Sequence, residues 1–342
     1  MRRLLAIVFV LSFASGALTA ALLVRRESPP IAHPAAVAAV ATANPGNDAA
    51  DADAGADGDD NWPDNADTPE QVVYAQPQML HDAITKLAPR RPGSPNLYFI
   101  GFAGDAEEDV FRNEAEYAAT LFAKRFAVAG HELLLVNNPA TLSRYPLATL
   151  TNLESAIDAV AQNMDRDTDI LVLLLTSHGT QDHLLYVNMN PLPLDQIAPE
   201  DLADIFAKTK IRYKVVVISA CYSGGFIGAL KDDSTMIVTA ARSDRSSFGC
   251  GSNSDITDFG RAFFVDGLNH NATFTGAFTK ARKLVDNWES RGHEDHSYPQ
   301  LATTPRIEAQ LALWRKAIRI GAPVPFVAPG GSAHNSTLTA TR

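Results

Sequence analysis

Several short apolar runs, separated by amphipathic stretches, restrict what this chain can fold into. The two clearest are residues 170–175 and 215–218, in which leucine and β-branched side chains follow one another without alternation. Such a strand is buried on both faces, as in a parallel sheet. Similar runs at 96–103 and 132–138 precede stretches with helical spacing of apolar residues. The alternation predicts an α/β fold with a mostly parallel sheet and helices on both faces.

A histidine and a cysteine follow the two clearest runs. The first run ends in TSHG, with His178 and Gly179, and the second in SACYSGG, with Cys221. The carboxyl ends of parallel strands share one sheet edge, where open α/β sheets bind ligands. A free thiol is mostly protonated at neutral pH, and a neighbouring imidazole makes the nucleophilic thiolate accessible. The pair predicts a Cys/His dyad, although Cys221 alone also fits a small buried hydrophobe and His178 alone a loop histidine.

Four short blocks resemble the legumain (asparaginyl endopeptidase) family of cysteine peptidases, which also contains the catalytic subunit of the glycosylphosphatidylinositol transamidase. The blocks are FRNEAE at 111–116, TSHG at 176–179, SACYSG at 219–224, and TAA at 239–241 followed by RSSFGC at 245–250. They occur in the family's order within residues 96–305. The resemblance implies a three-layer sandwich of the caspase–haemoglobinase type and a cysteine-type endopeptidase.

The resemblance also implies roles for single residues. The Cys221 thiolate attacks a peptide carbonyl, and His178 protonates the leaving amine. The backbone N–H groups of Gly179 and Cys221 stabilise the oxyanion. The pocket for the residue before the scissile bond is formed by a guanidinium and several hydroxyls. Its members are Arg112, Ser219, Ser246 and Ser247.

Three positions depart from the family's pattern. Ser219 stands two residues before Cys221, where legumains carry Glu. A second position that is acidic in legumains falls near Arg261 in this chain. Val110 stands where the family has an Asn close to the dyad. The donor-rich pocket leads us to expect cleavage after Asn or Asp. Two alternatives stay open, namely a transpeptidase or transamidase that uses the same acyl-enzyme, and an inactive, membrane-tethered binding module of the same fold.

Other candidate sites are weaker. His183 lacks a following Gly and lies past the strand end, so we rank it below His178 as the base. The cluster at 293–296 lacks a third ligand at suitable spacing, and we expect no metal and no cofactor. A Cys221–Cys250 disulfide is possible in an exported protein and would consume the nucleophile.

The ends of the chain predict a different organisation. Residues 1–26 carry arginines on both sides of an uncharged apolar stretch, which fits a membrane anchor or a signal peptide. Residues 27–91 form an acidic Ala/Asp-rich linker that we expect to be disordered, as we expect for the tail at 321–342. The peptidase domain is predicted at 92–320. The expected location is the inner membrane facing the periplasm, or the periplasm or medium if the N-terminal segment is cleaved.

The charge distribution limits the class of partner. The formal net charge is −10, but residues 27–70 hold ten acidic residues and no Lys or Arg, so the remainder is formally neutral. Without a basic excess, nucleic acid is not an expected partner. We expect a peptide or protein substrate, and membrane contact only through the N-terminal segment. The sequence leaves the oligomeric state open.

Overall fold

The computed structural model describes residues 62–251 and 254–327, in which a six-stranded sheet has the order β2-β1-β3-β4-β5-β6. The strands are β1 Leu97–Ala103, β2 Glu132–Val136, β3 Ile170–Thr176, β4 Tyr213–Ser219, β5 Thr235–Thr239 and β6 Gln300–Ala302. The first five are parallel, and β6 runs antiparallel to β5. The predicted α/β class with a mostly parallel sheet is confirmed.

Helices cover both faces of the sheet. They are α1 Pro69–Thr85, α2 Asp109–Arg125, α3 Leu150–Asn163, α4 Pro199–Thr209, α5 Phe226–Leu230, α6 Asp258–Gly260, α7 Phe274–Gly292 and α8 Pro305–Ala317. A π-helical segment, Arg261–Leu268, continues α6. Alternate side chains of β4 enter two cores, with Val215 and Val217 facing α2, α6, α7 and α8, and Val216 and Ile218 facing α1, α3, α4 and α5. The unbroken apolar run is therefore the signature of a strand between two helical layers.

The ordered fold begins earlier in the chain than the sequence predicts. Part of the predicted disordered linker, residues 27–91, forms α1, although the sequence indicates only a short helical patch at residues 79–87. Thr68 caps the helix by accepting a hydrogen bond from the Gln71 backbone N–H, and Pro69 occupies its first turn. The helix buries Val72 and Leu80. The few apolar residues of α1 are not recognisable in a segment of such acidic composition. The ordered fold therefore begins before residue 92, and the predicted domain boundary there is wrong.

The predicted disordered tail also starts too early. Gly321 exchanges hydrogen bonds with Arg125, donating its N–H to the backbone oxygen at 2.8 Å and accepting from Nη1 at 2.7 Å. Val324 exchanges two more with the Asn269 side chain. The backbone at residues 321 and 324 is thus bound to α2 and to Asn269, directly after the π-helical segment, through contacts that the composition of the tail does not reveal. Residues 328–342 lie outside the described residues.

The predicted targeting segment at residues 1–26 lies outside the described residues, so it stays a prediction. Among the helices of residues 62–251 and 254–327, none combines the length and the apolarity that a membrane crossing requires.

Gln76 joins α1 to α3 and to the loop before it, and it provides a test of the revised boundary. Its buried Oε1 accepts from the Leu147 backbone N–H at 2.7 Å and from Asn152 Nδ2 at 3.1 Å. We expect Gln76→Ala to lower the free energy of unfolding by about 1–3 kcal/mol, because it leaves buried donors without an acceptor. Urea denaturation measures this.

Gln78→Ala is the matched control, since Gln78 lies on the same helix but is exposed. Its effect should stay within about 0.5 kcal/mol. Equal effects of the two substitutions would contradict the packing of α1 described above.

Candidate active site

The register of β3 and β4 brings His178 and Cys221 to equivalent positions. Thr176, the last residue of β3, pairs with Ser219, the last residue of β4. His178 and Cys221 each follow two residues later. Because alternate residues of a strand face the same side, both continue the side-chain rows of Thr176 and Ser219, on the face covered by α2.

The backbones beyond the two strands also touch. The Ser177 N–H donates to the Ser219 carbonyl at 3.3 Å. At Gly179 a Cβ would overlap the carbonyl oxygen of Cys221, so only glycine allows this approach. Among the described residues, neither the Gly179 nor the Cys221 N–H donates to another backbone group. The site therefore offers two free amide donors beside the sulfur.

The loop after β5 holds the sulfur of Cys221. The Ser247 backbone N–H donates to Sγ at 3.2 Å, and the Ser247 hydroxyl lies 3.7 Å from it. Such a donor stabilises a thiolate more than a thiol. Cys221 and Cys250 are both free thiols. Burial, with a smaller contribution from the nearby Cys221, raises the pKa of Cys250 to about 11, so the two thiols differ in environment.

His178 is held by groups from two other elements. Its ring meets the edge of the Phe111 ring from α2, with the centroids 5.0 Å apart at an interplanar angle of 81°. Its Nε2 lies 3.6 Å from Oδ2 of Asp105, just beyond β1. The backbone carbonyl of His178 accepts from the Tyr186 N–H at 2.9 Å. The imidazole is 38% exposed. Phe111 and Asp105 therefore contact part of the ring, and the remainder is open to solvent.

Glu108 also stands near the imidazole. Burial raises the pKa of Glu108, and the charge of His178 opposes that shift. Two acidic residues therefore accompany the histidine. Neither is predicted as a site residue from the sequence.

Arg112 is enclosed in a polar network of its own. Its guanidinium donates to Asn113 Oδ1 from Nε at 3.2 Å and from Nη2 at 3.1 Å, and to Asn138 Oδ1 from Nη1 at 2.8 Å. Nη2 also forms an ion pair with Asp109 at 3.0 Å. The side chain is 8% exposed. The structure therefore brings Arg112 together with Asn138, beyond β2, and assigns it no contact with Cys221.

Ser219 belongs to a second buried cluster, directly under the strand ends. Its hydroxyl lies 3.1 Å from Oγ1 of Thr257, which donates to Oε2 of Glu114 at 2.5 Å. Glu114 comes from α2, is fully buried, and has its other oxygen without a partner among the described residues. Burial raises the pKa of Glu114 to about 7, although the hydrogen bond from Thr257 and the nearby hydroxyls of Ser219 and Thr176 oppose the shift. Glu114 thus places a buried carboxyl close to Ser219, with Thr257 between them.

Ser246 and Tyr222 form the other side of the site. The Ser246 hydroxyl donates to the Tyr222 hydroxyl at 3.3 Å, and the Tyr222 N–H donates to the Arg245 carbonyl at 2.7 Å. Tyr222 has a φ of 55°, a left-handed conformation that is costly for a residue with a Cβ. The chain thus turns sharply after Cys221 and is tied to the loop that holds the sulfur.

The other candidates lie elsewhere. The His183 ring packs on Gly225, at a point where a Cβ would overlap it, and not in the row of His178. Within the described ranges, no group of three or more His, Cys, Asp or Glu side chains is arranged to hold a metal. Nδ1 of His296 instead lies 3.0 Å from Oδ1 of Asp286, and the His296 ring stacks on Tyr298.

The sheet with two helical layers, and a cysteine and a histidine at neighbouring strand ends, define a protein with the architecture of a cysteine peptidase. A sequence model of the Peptidase C13 family matches residues 147–308, which contain both side chains. The resemblance to the legumain and transamidase family is thereby confirmed for this segment of the chain. Among curated proteins no match to the chain was found. The match supports a cysteine-type peptidase in general.

Glu114 gives the folded protein a pH dependence that can be measured. Its pKa rises from 4.5 to about 7 on folding, so the folded state binds this proton more tightly than the unfolded state. We expect this contribution to stability to be present below pH 4.5, to decline as pH rises, and to be lost above about pH 7. The loss amounts to about 3 kcal/mol. Denaturant unfolding between pH 4 and pH 8 measures it.

Glu114→Gln is the decisive variant, because the amide stays neutral. Between pH 4 and pH 8, the free energy of unfolding of this variant should lack the decrease of about 3 kcal/mol that Glu114 causes in the wild type. The exposed Glu200→Gln should retain the wild-type slope. A slope unchanged by Glu114→Gln would show that this carboxyl does not titrate as described.

Proposed function

We propose that this protein is a cysteine-type endopeptidase whose nucleophile is Cys221 and whose acid and base is His178. The observation that carries the proposal is the position of the two residues two places beyond paired strand ends, on one face. Free N–H groups at Gly179 and Cys221 support it further, because acyl transfer needs donors where negative charge develops.

The chemistry follows from these groups. The Cys221 sulfur, with the Ser247 N–H as its donor, attacks the carbonyl carbon of a peptide, and the electron pair of the C=O bond moves to oxygen. The N–H groups of Gly179 and Cys221 bind that oxyanion. His178 delivers a proton to the leaving amine as the C–N bond breaks, which leaves a thioester on Cys221. Water, deprotonated by His178, then releases the acid and restores the thiol.

An amine can replace water in the last step. The product is then a new amide, and the reaction is a transpeptidation or a transamidation through the same thioester. A partly exposed imidazole is open to either acceptor. Adding a peptide amine to the cleavage reaction separates the two outcomes, because only transfer produces a ligated peptide.

We propose Asn or Asp as the residue before the scissile bond. Ser247 supplies a hydroxyl 3.7 Å from the sulfur, and Ser246 supplies a second one on the same loop. Arg112 would reach a substrate only by exchanging one of the partners that enclose its guanidinium. Glu114 adds a buried acid beneath Ser219. A small side chain with a carbonyl oxygen suits such donors. An inactive binding module is the alternative if Cys221 shows no special reactivity.

Cleavage by the full chain tests the nucleophile. A mixed peptide library should be cut by the wild type, and Cys221→Ala should lower kcat/KM by at least about a thousandfold, because the proposed thioester forms on the Cys221 sulfur. His178→Ala should be similarly impaired. Cys250→Ser is the matched control and should retain activity. Cleavage that persists in Cys221→Ala would exclude the mechanism.

Specificity is tested with peptides that differ only before the scissile bond. We expect kcat/KM for Asn or Asp to exceed that for Leu or Lys by at least about tenfold, since unpaired buried polar groups penalise the wrong side chain. Mass spectrometry identifies the cut. A preference for Leu or Lys would refute the specificity while leaving the mechanism intact.

A further inference from the structure

Asp105 occupies the same row as His178 and Cys221. Ala103, the last residue of β1, pairs with Thr176 of β3. Asp105 follows Ala103 by two residues, as His178 follows Thr176. Three neighbouring strands in the order β1-β3-β4 thus end in an acid, an imidazole and a thiol at one offset and on one face.

The carboxylate of Asp105 is fixed and buried. Its Oδ1 accepts from the Glu107 N–H at 3.1 Å and from Asn188 Nδ2 at 3.2 Å. The residue is 1% exposed, and Oδ2 has no hydrogen-bond partner among the described residues. Leaving such an oxygen unpaired is costly. The nearest group of opposite potential charge is the imidazole of His178, with Nε2 at 3.6 Å.

Other charged groups around the imidazole are less well situated for this contact. Of the carboxylates in the described part of the chain, only that of Asp105 lies within 4.0 Å of a ring nitrogen of His178. Glu108, at the start of α2, adds a more distant negative charge. Cys221 follows β4, which lies on the other side of β3 from β1 and Asp105. Val110, where the family pattern has Asn, is a fully buried apolar residue and cannot take part.

We propose that Asp105 is the positioning residue of the site, so that the working unit is an Asp105–His178–Cys221 triad. Asp105 accepts from Nε2, which directs Nδ1 toward the sulfur, and its charge stabilises the imidazolium that forms when the thiolate does. The Phe111 ring limits rotation of the imidazole. The contact at 3.6 Å is long for a hydrogen bond, as in many sites without substrate. This proposal rests on the peptidase function proposed above.

The test compares Asp105→Asn with the wild type as full chains. The amide oxygen keeps the bonds from the Glu107 N–H and Asn188 Nδ2, so the amide NH2 group takes the place of Oδ2 beside Nε2. The imidazolium then loses both its acceptor and the neighbouring negative charge. We expect the alkaline limb of the kcat/KM profile to move to lower pH by roughly one unit. Alkylation of Cys221 by iodoacetamide, followed by peptide mass spectrometry, should begin at higher pH, and this readout needs no substrate.

Asp105→Ala removes orientation as well as charge. It should lower kcat/KM by about tenfold to a hundredfold, the range typical when a group that orients a histidine is lost. Thermal unfolding of each variant shows whether it is folded. If Asp105→Ala does not fold, the isosteric Asp105→Asn carries the test.

Glu107→Gln is the matched control. It removes one negative charge two residues after Asp105, and the exposed Glu107 side chain contacts Asn188 rather than His178. Its pH profiles should match those of the wild type. A folded, active Asp105→Asn with both pH profiles unchanged would overturn the triad while leaving the peptidase function intact. A wild type without Cys221-dependent cleavage would overturn the peptidase function, and the triad with it.

Discussion

The pairing of Thr176 with Ser219 is the contact on which the rest of the site depends. Parallel strands in this register end at the same level. A shift of one residue would turn one side chain to the other face of the sheet, and His178 and Cys221 would then lie on opposite sides. The apolar rows of β3 and β4 prevent that shift, because it would exchange the residues of the two cores.

The same face carries buried polar groups that oppose folding. Glu114 and Asp105 are both buried, each with one oxygen that finds no hydrogen-bond partner within the described ranges. Tyr222 adds a left-handed backbone directly after the nucleophile. Features of this kind persist where a fold over-determines them and concentrate at functional sites. Here the two apolar cores stabilise the sheet enough to offset the unfavourable buried polar groups and backbone conformation at the strand ends.

The sequence predicted most of the architecture because the signals were local. Continuous apolar runs identified β3 and β4, and the residues after them identified His178 and Cys221. The sequence did not reveal groups that act across the fold, such as Glu114, which reaches Ser219 from α2. Asp105 could have been found, since it stands at the same offset from its strand as His178. Only the end of α1 was predicted as helical, because a few buried side chains are enough to hold the helix on the fold.

The most direct test of the central claim is chemical cross-linking of the two side chains. In Cys250→Ser, the Cys221 sulfur displaces one bromide from 1,3-dibromoacetone. A second nucleophile within a few ångströms then displaces the other bromide and completes the bridge. Peptide mapping then identifies the partner. We predict a bridge between Cys221 and His178. A bridge to His183 instead, or single attachment at Cys221 without any bridge, would contradict the geometry on which the function rests.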